Sequence, residues 1–109
     1  DVEQFEVASM APTQVLPVVP GTAMAPAFGH IFSGGYAAGY YGYKWAEVLE
    51  ADAFSLFKEK GIFNREVSGS FRENILSKGG TEHPMELYVR FRGHKPETRA
   101  LIEKMGLGK

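Results

Sequence analysis

Apolar and polar positions along this chain fall into helical stretches punctuated by proline and glycine. Residues 1–11 place Val2 and Phe5, with Ser9 or Met10, on one side, which predicts the tail of a helix. Pro12, Pro17 and Pro20 then forbid regular helix, because each lacks an N–H and restricts the residue before it. Residues 12–28 therefore read as an extended or irregular connector, and Val15, Leu16, Val18 and Val19 predict that it packs against something. Ala27 to Phe32 reads as a short helix or turn, ended by Gly34-Gly35. From Tyr36 to Lys60 the spacing predicts one long helix. Tyr41, Trp45 and Val48/Leu49 step by three and four, and Phe54, Leu56 and Phe57 continue the apolar side.

The punctuation is consistent further on. Gly61 stands where a helix-ending glycine belongs, with Ile62 able to make the accompanying apolar contact. Asn64 is a good cap for a helix over 65–77, in which Val67, Phe71 and Ile75 are four apart, and Gly79-Gly80 stops it. Pro84 opens a further helix with Leu87 and Phe91 on its buried face and Gly93 at its end. Pro96 opens the last, with Ala100, Leu101 and Met105 inward and Gly106 closing it. No stretch alternates with the period of a strand. The expected fold class is all-α, with a connector and Gly-rich loop over 12–35 and helices over 36–107.

Composition narrows the functions. At 109 residues the chain is one domain at most, and 44% hydrophobic with 23% charged residues argues against disorder. A net charge of −1 gives no electrostatic case for nucleic acid or an anionic membrane surface. The absence of cysteine excludes disulfides, thiolate metal sites and a Cys nucleophile, and fits a cytoplasmic, reducing compartment. No apolar run approaches the roughly 20 residues a bilayer span needs. The opening Asp1-Val2-Glu3 has neither an initiator Met nor a signal pattern, which leads us to expect a fragment of a longer protein.

One stretch departs from this ordinary background. Residues 28–45, FGHIFSGGYAAGYYGYKW, hold four of the five tyrosines, the only Trp, a His and a dense set of glycines. Gly39 and Gly42 each cost a helix up to ~1 kcal/mol relative to Ala, so propensity does not explain them. Glycines belong where a backbone flexes or approaches a ligand, and tyrosines where a phenol must reach a polar partner. Read alone, Tyr36 and Tyr43 fit packing better than function, and His30 fits a satisfied structural histidine. Tyr40, Tyr41 and Trp45, at helical spacing, read as core.

The order of these residues is more specific than their types. The run His30, Gly34-Gly35-Tyr36, Ala38, Tyr40-Tyr41, Tyr43 and Trp45 resembles the Gly-Tyr loop of the thimet oligopeptidase, oligopeptidase A and peptidyl-dipeptidase family of zinc metallopeptidases. Downstream, Ile75-Leu76-Ser77-Lys78-Gly79-Gly80, Pro84-Met85-Glu86-Leu87, Phe91-Arg92-Gly93, Pro96 and Gly106-Leu107 match as well, with the oligopeptidase A branch the nearer. The resemblance implies the C-terminal helical part of an enzyme that cleaves short peptides in a deep channel. The family's zinc is held by an HExxH helix and a downstream Glu. This sequence has no HExxH, and His30, His83 and His94 lie in separate segments. Zinc is thus expected in the intact enzyme with ligands outside this chain, and neither zinc nor activity in the chain alone.

By the same resemblance His30, Gly34, Gly35, Tyr36 and Tyr43 line the bound substrate. Tyr43 is the first choice to donate a hydrogen bond to the oxyanion of the tetrahedral intermediate, with Tyr36 as support or sharing the task. His30 would hydrogen-bond the substrate backbone or polarise its carbonyl, and the glycine pair would let the loop swing.

Other candidates fare worse. Ser33 lacks the Gly-x-Ser-x-Gly elbow of a nucleophile, and Gly34-Gly35 lacks the Lys-Ser/Thr of a phosphate loop. His83 and His94 read as surface or capping residues. Arg90, Arg92, His94 and Lys95 read as a solvated face, as do Glu47, Glu50, Asp52 and Glu59. The alternative function is a stand-alone helical module whose aromatic groove binds a peptide or protein. Apolar faces left uncovered would also favour self-association.

Overall fold

The computed structural model describes residues 1–108, and every regular element among them is helical. The all-α expectation is met. The chain divides into two compact units, residues 1–41 and residues 42 onward.

The first unit begins with helix α1 (Val2–Met10), whose N-terminus is capped by the Asp1 carboxylate accepting from the Glu3 N–H at 3.0 Å. A short 3-10 turn, Ala11–Thr13, leads into the connector. The connector does not bury its apolar residues. Val15, Leu16 and Val19 are exposed, against the expectation of packing. Polar contacts hold it instead. Glu3 accepts from the Gly21 N–H at 2.9 Å, and the two oxygens of Glu6 accept from Met24 and Ala25 at 2.8 and 2.7 Å. The N–H of Ala25, then that of Met24, holds the Glu6 carboxyl below its usual pKa. Two more 3-10 turns follow, Gly29–Ile31 and Gly34–Tyr36.

The long helix predicted from Tyr36 does not start there. Ala38 takes a left-handed φ of 54°, and the Gly39 N–H donates back to the Tyr36 carbonyl at 2.8 Å, a turn that a continuous α-helix excludes. Helix α2 (Gly42–Lys60) begins after it. The three-and-four spacing of Tyr41 and Trp45 is therefore misleading, since neither is buried in the core, Tyr41 being 74% exposed and Trp45 44%.

In the second unit α2 ends in Lys58 and Lys60, placed where basic residues favour the helix dipole, and Gly61 turns the chain at φ 105°. Asn64 caps α3 (Arg65–Phe71) by accepting from the N–H groups of Glu66 and Val67. The predicted helix over 65–77 is not α throughout. Residues Arg72–Leu76 form a π-helical turn, in which the Ser77 N–H reaches the Arg72 carbonyl at 2.9 Å. The Asn74 side-chain amide donates to the Ser70 carbonyl at 3.0 Å, competing for an acceptor the regular helix uses. Helix α4 (Pro84–Arg92) starts with Pro84 in its first turn and is capped by His83, whose Nδ1 accepts from the Met85 N–H. Gly93 closes it in the left-handed region. Helix α5 (Arg99–Lys104) starts three residues later than the Pro96 start predicted.

The core sits between α2, α3 and α4, where Val48, Ala51, Val67, Leu87, Tyr88 and Phe91 are buried. Phe57, Phe71 and Phe91 close it as a ring cluster, with centroids 5.1 Å apart for Phe71–Phe91 and 5.9 Å for Phe57–Phe71. Two charged residues expected on solvated faces belong to this core. Asp52 is only 3% exposed, accepting from the Tyr88 hydroxyl at 2.6 Å. Arg92 donates through Nε to the Asp52 carbonyl at 3.1 Å and through Nη2 to Ser55 Oγ at 3.0 Å. A buried carboxylate is stable only with partners, and α4 supplies the Tyr88 hydroxyl and the Arg92 guanidinium, whose Nε lies 3.7 Å from Asp52 Oδ2. Burial first, and then the Asp52 carboxylate, pushes the Tyr88 phenol well above its ordinary pKa.

Candidate functional site

In the first unit the loop after residue 28 gathers its aromatic rings. His30 lies in the Gly29–Ile31 turn and Tyr36 ends the Gly34–Tyr36 turn. The backbone folds back on itself through Phe32 N–H and Ser33 N–H donating to the Gly29 carbonyl at 3.0 Å, and Ala38 N–H donating to the Ile31 carbonyl at 3.4 Å. The His30 and Tyr36 ring centroids come to 6.1 Å. Tyr40 stands 5.5 Å from His30 and 5.7 Å from Tyr36, and Phe28 meets Tyr40 edge-on at 4.7 Å. The structure therefore brings together two of the predicted substrate-binding side chains, His30 and Tyr36. Both are exposed.

Gly34 has a φ of 73°, which an L side chain adopts only with strain, while at Gly35 a Cβ would meet open space. The two glycines are thus unequal. Gly34 is required by the turn, and Gly35 leaves room above the backbone. Ser33 Oγ donates to the Gly29 carbonyl at 3.2 Å, a local turn bond and not a nucleophile's contact with a base. Tyr43 belongs to the second unit, in the first turn of α2, and is 52% exposed.

The second unit carries a different feature, an apolar groove of about 700 Å³ lined by Trp45, Leu49, Phe57, Phe71, Ile75, Met85 and Leu87 among others. Its charged lining residue, Glu50, is engaged by Lys104 at 2.6 Å. A groove of this kind can bury apolar surface but offers no acid, base or nucleophile set. The chemistry-bearing residue types stand in the loop instead.

The loop clusters His and Tyr rings around a left-handed glycine, and among the described residues no metal-holding group accompanies them. The model of Peptidase family M3 matches residues 3–107, and the chain belongs to that family. It is 63% identical over 81 residues to "Oligopeptidase A" of Escherichia coli (strain K12), a match covering 74% of this chain and 12% of the relative. It is 48% identical over 99 residues to "Probable cytosolic oligopeptidase A" of Arabidopsis thaliana, covering 87% and 14%. Against "Dipeptidyl carboxypeptidase" of E. coli it is 42% identical over 108 residues, covering 98% and 16%. The matched part of the chain thus spans only about an eighth to a sixth of the length of these relatives.

The family implies zinc, and the residues present do not fit it. Among the described residues no group of three His, Cys, Asp or Glu side chains lies together so as to hold a metal ion. His83 is engaged as a cap, and His94 Nδ1 lies 2.7 Å from the Lys95 carbonyl. No helix of the described residues is long and apolar enough to cross a membrane.

What sequence reasoning missed is Tyr40. Its helical spacing pointed to core, and only the turn at Ala38 shows that it stacks within the loop.

Proposed function

We propose that this chain is the substrate-binding part of a zinc-dependent oligopeptidase or peptidyl-dipeptidase acting on short peptides, with the metal and general base supplied by residues outside it. The observation that carries the reading is the paired placement of His30 and Tyr36 in the ring-lined loop of a family M3 chain. That the matched relatives are about six times longer supports the part-of-a-whole reading.

In this reading His30 hydrogen-bonds the peptide backbone beside the scissile bond, and Tyr36 helps to seat the same segment. The Tyr43 phenol donates its O–H to the oxygen that gains charge as the carbonyl becomes tetrahedral, an interaction stronger in the transition state than before it. Gly34 and Gly35 let the loop adjust as the peptide enters. A cytoplasmic setting is part of the proposal, supported by the name of the plant relative. The groove of the second unit is what a free-standing interaction module would need, but family membership accounts for the loop as well as the helices.

Steady-state kinetics of the full-length peptidase test this. Tyr43→Phe should lower kcat about tenfold or more with zinc content unchanged, and an unaltered kcat would remove the oxyanion role. The 109-residue chain alone should show neither peptide hydrolysis nor stoichiometric zinc by elemental analysis.

A further inference from the structure

We propose that Tyr40 is the positioning residue of the loop, its ring fixing the orientation of His30 and Tyr36 toward the bound peptide. The inference rests on the substrate-binding reading of those two residues. Three observations lead to it.

First, Tyr40 touches every other ring of the cluster, with centroids 4.7 Å from Phe28, 5.5 Å from His30 and 5.7 Å from Tyr36. Its contacts to Phe28 and Tyr36 are edge-to-face, at 84° and 79°, the arrangement aromatic quadrupoles favour. Second, Tyr40 and Phe28 are half-buried while His30 and Tyr36 are exposed. The inner pair is the more enclosed, and both members of the outer pair pack against the Tyr40 ring. Third, the backbone that puts Tyr36 and Tyr40 together is strained. Ala38 adopts a φ of 54°, a conformation that costs energy for any residue with a Cβ. Such a residue persists where its surroundings over-determine it, and here the surroundings are the Tyr36–Tyr40 contact and the Gly39 N–H bond to the Tyr36 carbonyl.

The chemical consequence is orientation. A group that binds substrate through one hydrogen bond loses most of its effect when displaced by about 1 Å. An imidazole packed against Tyr40 on one side presents its outer nitrogen in a narrow range of directions. The face and edge of the Tyr40 ring supply these contacts.

The test is a double-mutant cycle on the full-length peptidase, with melting temperature and zinc content measured for each variant. Tyr40→Phe should keep kcat/KM within about twofold, because the ring remains. Tyr40→Leu should lower it about tenfold, equivalent to ~1.4 kcal/mol. In a His30→Gln background the same Tyr40→Leu change should cost under about threefold, since the imidazole it positions is gone. If Tyr40→Phe falls as far as Tyr40→Leu, the ring contacts are not what orients the loop, and the inference fails. If Tyr40→Leu costs as much with Gln at position 30 as with His, the ring does not act through His30, and the inference fails. If Tyr40→Leu lowers the melting temperature, Phe28→Leu carries the same cycle from behind Tyr40, with about a threefold loss expected and the same dependence on His30. Full kcat/KM in both His30→Gln and Tyr36→Phe would instead sink the substrate-binding reading, and the positioning role with it.

Discussion

Residues 42–108 hold their shape by burying side chains, and residues 1–41 hold theirs without burying any. In the second unit Leu87 and Phe91 of α4, Val48 and Ala51 of α2 and Val67 of α3 are buried, with the Asp52–Tyr88–Arg92 contacts among them. In the first unit two glutamates of α1 grip backbone N–H groups of the connector, and the loop beyond is held by turns and ring contacts. The residues with chemistry to offer, His30 and Tyr36, belong to the unit without a core. Elements that must adjust to a ligand come from the less stable part of a molecule, and this division follows that rule.

The comparison can be broken at several points. Phe91→Ala removes a buried ring that meets Phe57 and Phe71, and should cost the 109-residue chain ~3–5 kcal/mol in denaturant unfolding, a large share of an ordinary stability. Asp52→Ala should cost ~2–3 kcal/mol, because it removes the carboxylate to which the buried Tyr88 hydroxyl donates and which pairs with Arg92 at 3.7 Å. The same network gives a pH dependence. Tyr88 holds its proton more tightly folded than unfolded, so its contribution is complete below about pH 10 and is lost as pH rises beyond it. Tyr88→Phe should flatten that alkaline fall in melting temperature, and an unchanged slope would show the phenol to be irrelevant.

Changes in the first unit should be smaller and local. Gly34→Ala should cost ~1 kcal/mol of loop stability, seen as faster amide exchange over 29–39, while Gly35→Ala should leave exchange as it was. If both behave alike, the left-handed backbone at Gly34 is not what shapes the loop. Glu6→Ala should raise exchange at Met24 and Ala25 with little change in melting temperature. Because the folded Glu6 carboxyl has a lowered pKa, that clamp is complete above the ordinary carboxylate range and weakens as pH falls through the folded value.

Sequence made the second unit legible where local chemistry decides it. Asn64 caps, Pro84 starts, Gly61 and Gly93 stop, and Leu87 and Phe91 face inward, each as read. It misled where the deciding partner is distant. Asp52 and Arg92 looked solvated because a charge counts as exposed until its partner, 40 residues away, is in place. The first turns of the predicted long helix failed for a local reason that spacing hides. Tyr41 and Trp45 are four apart in a helix or out of one, and a left-handed alanine is invisible to any pattern of apolar residues. The site was legible only through the order of its residues. Types alone favoured packing for His30, Tyr36 and Tyr43, and helical spacing assigned Tyr40 to the core, where the backbone turn instead pairs it with Tyr36.

Trp45 stands at the rim of the apolar groove with 44% of its surface exposed, and it is the sole indole of the chain. That gives the protein one built-in optical reporter, placed where water meets apolar wall. Any molecule seated in the groove would strip solvent from the indole and draw its emission toward the blue. Loss of the Leu49, Phe57 and Leu87 wall would send it the other way. The spectrum of a single residue would thus register whether this face is covered or bare.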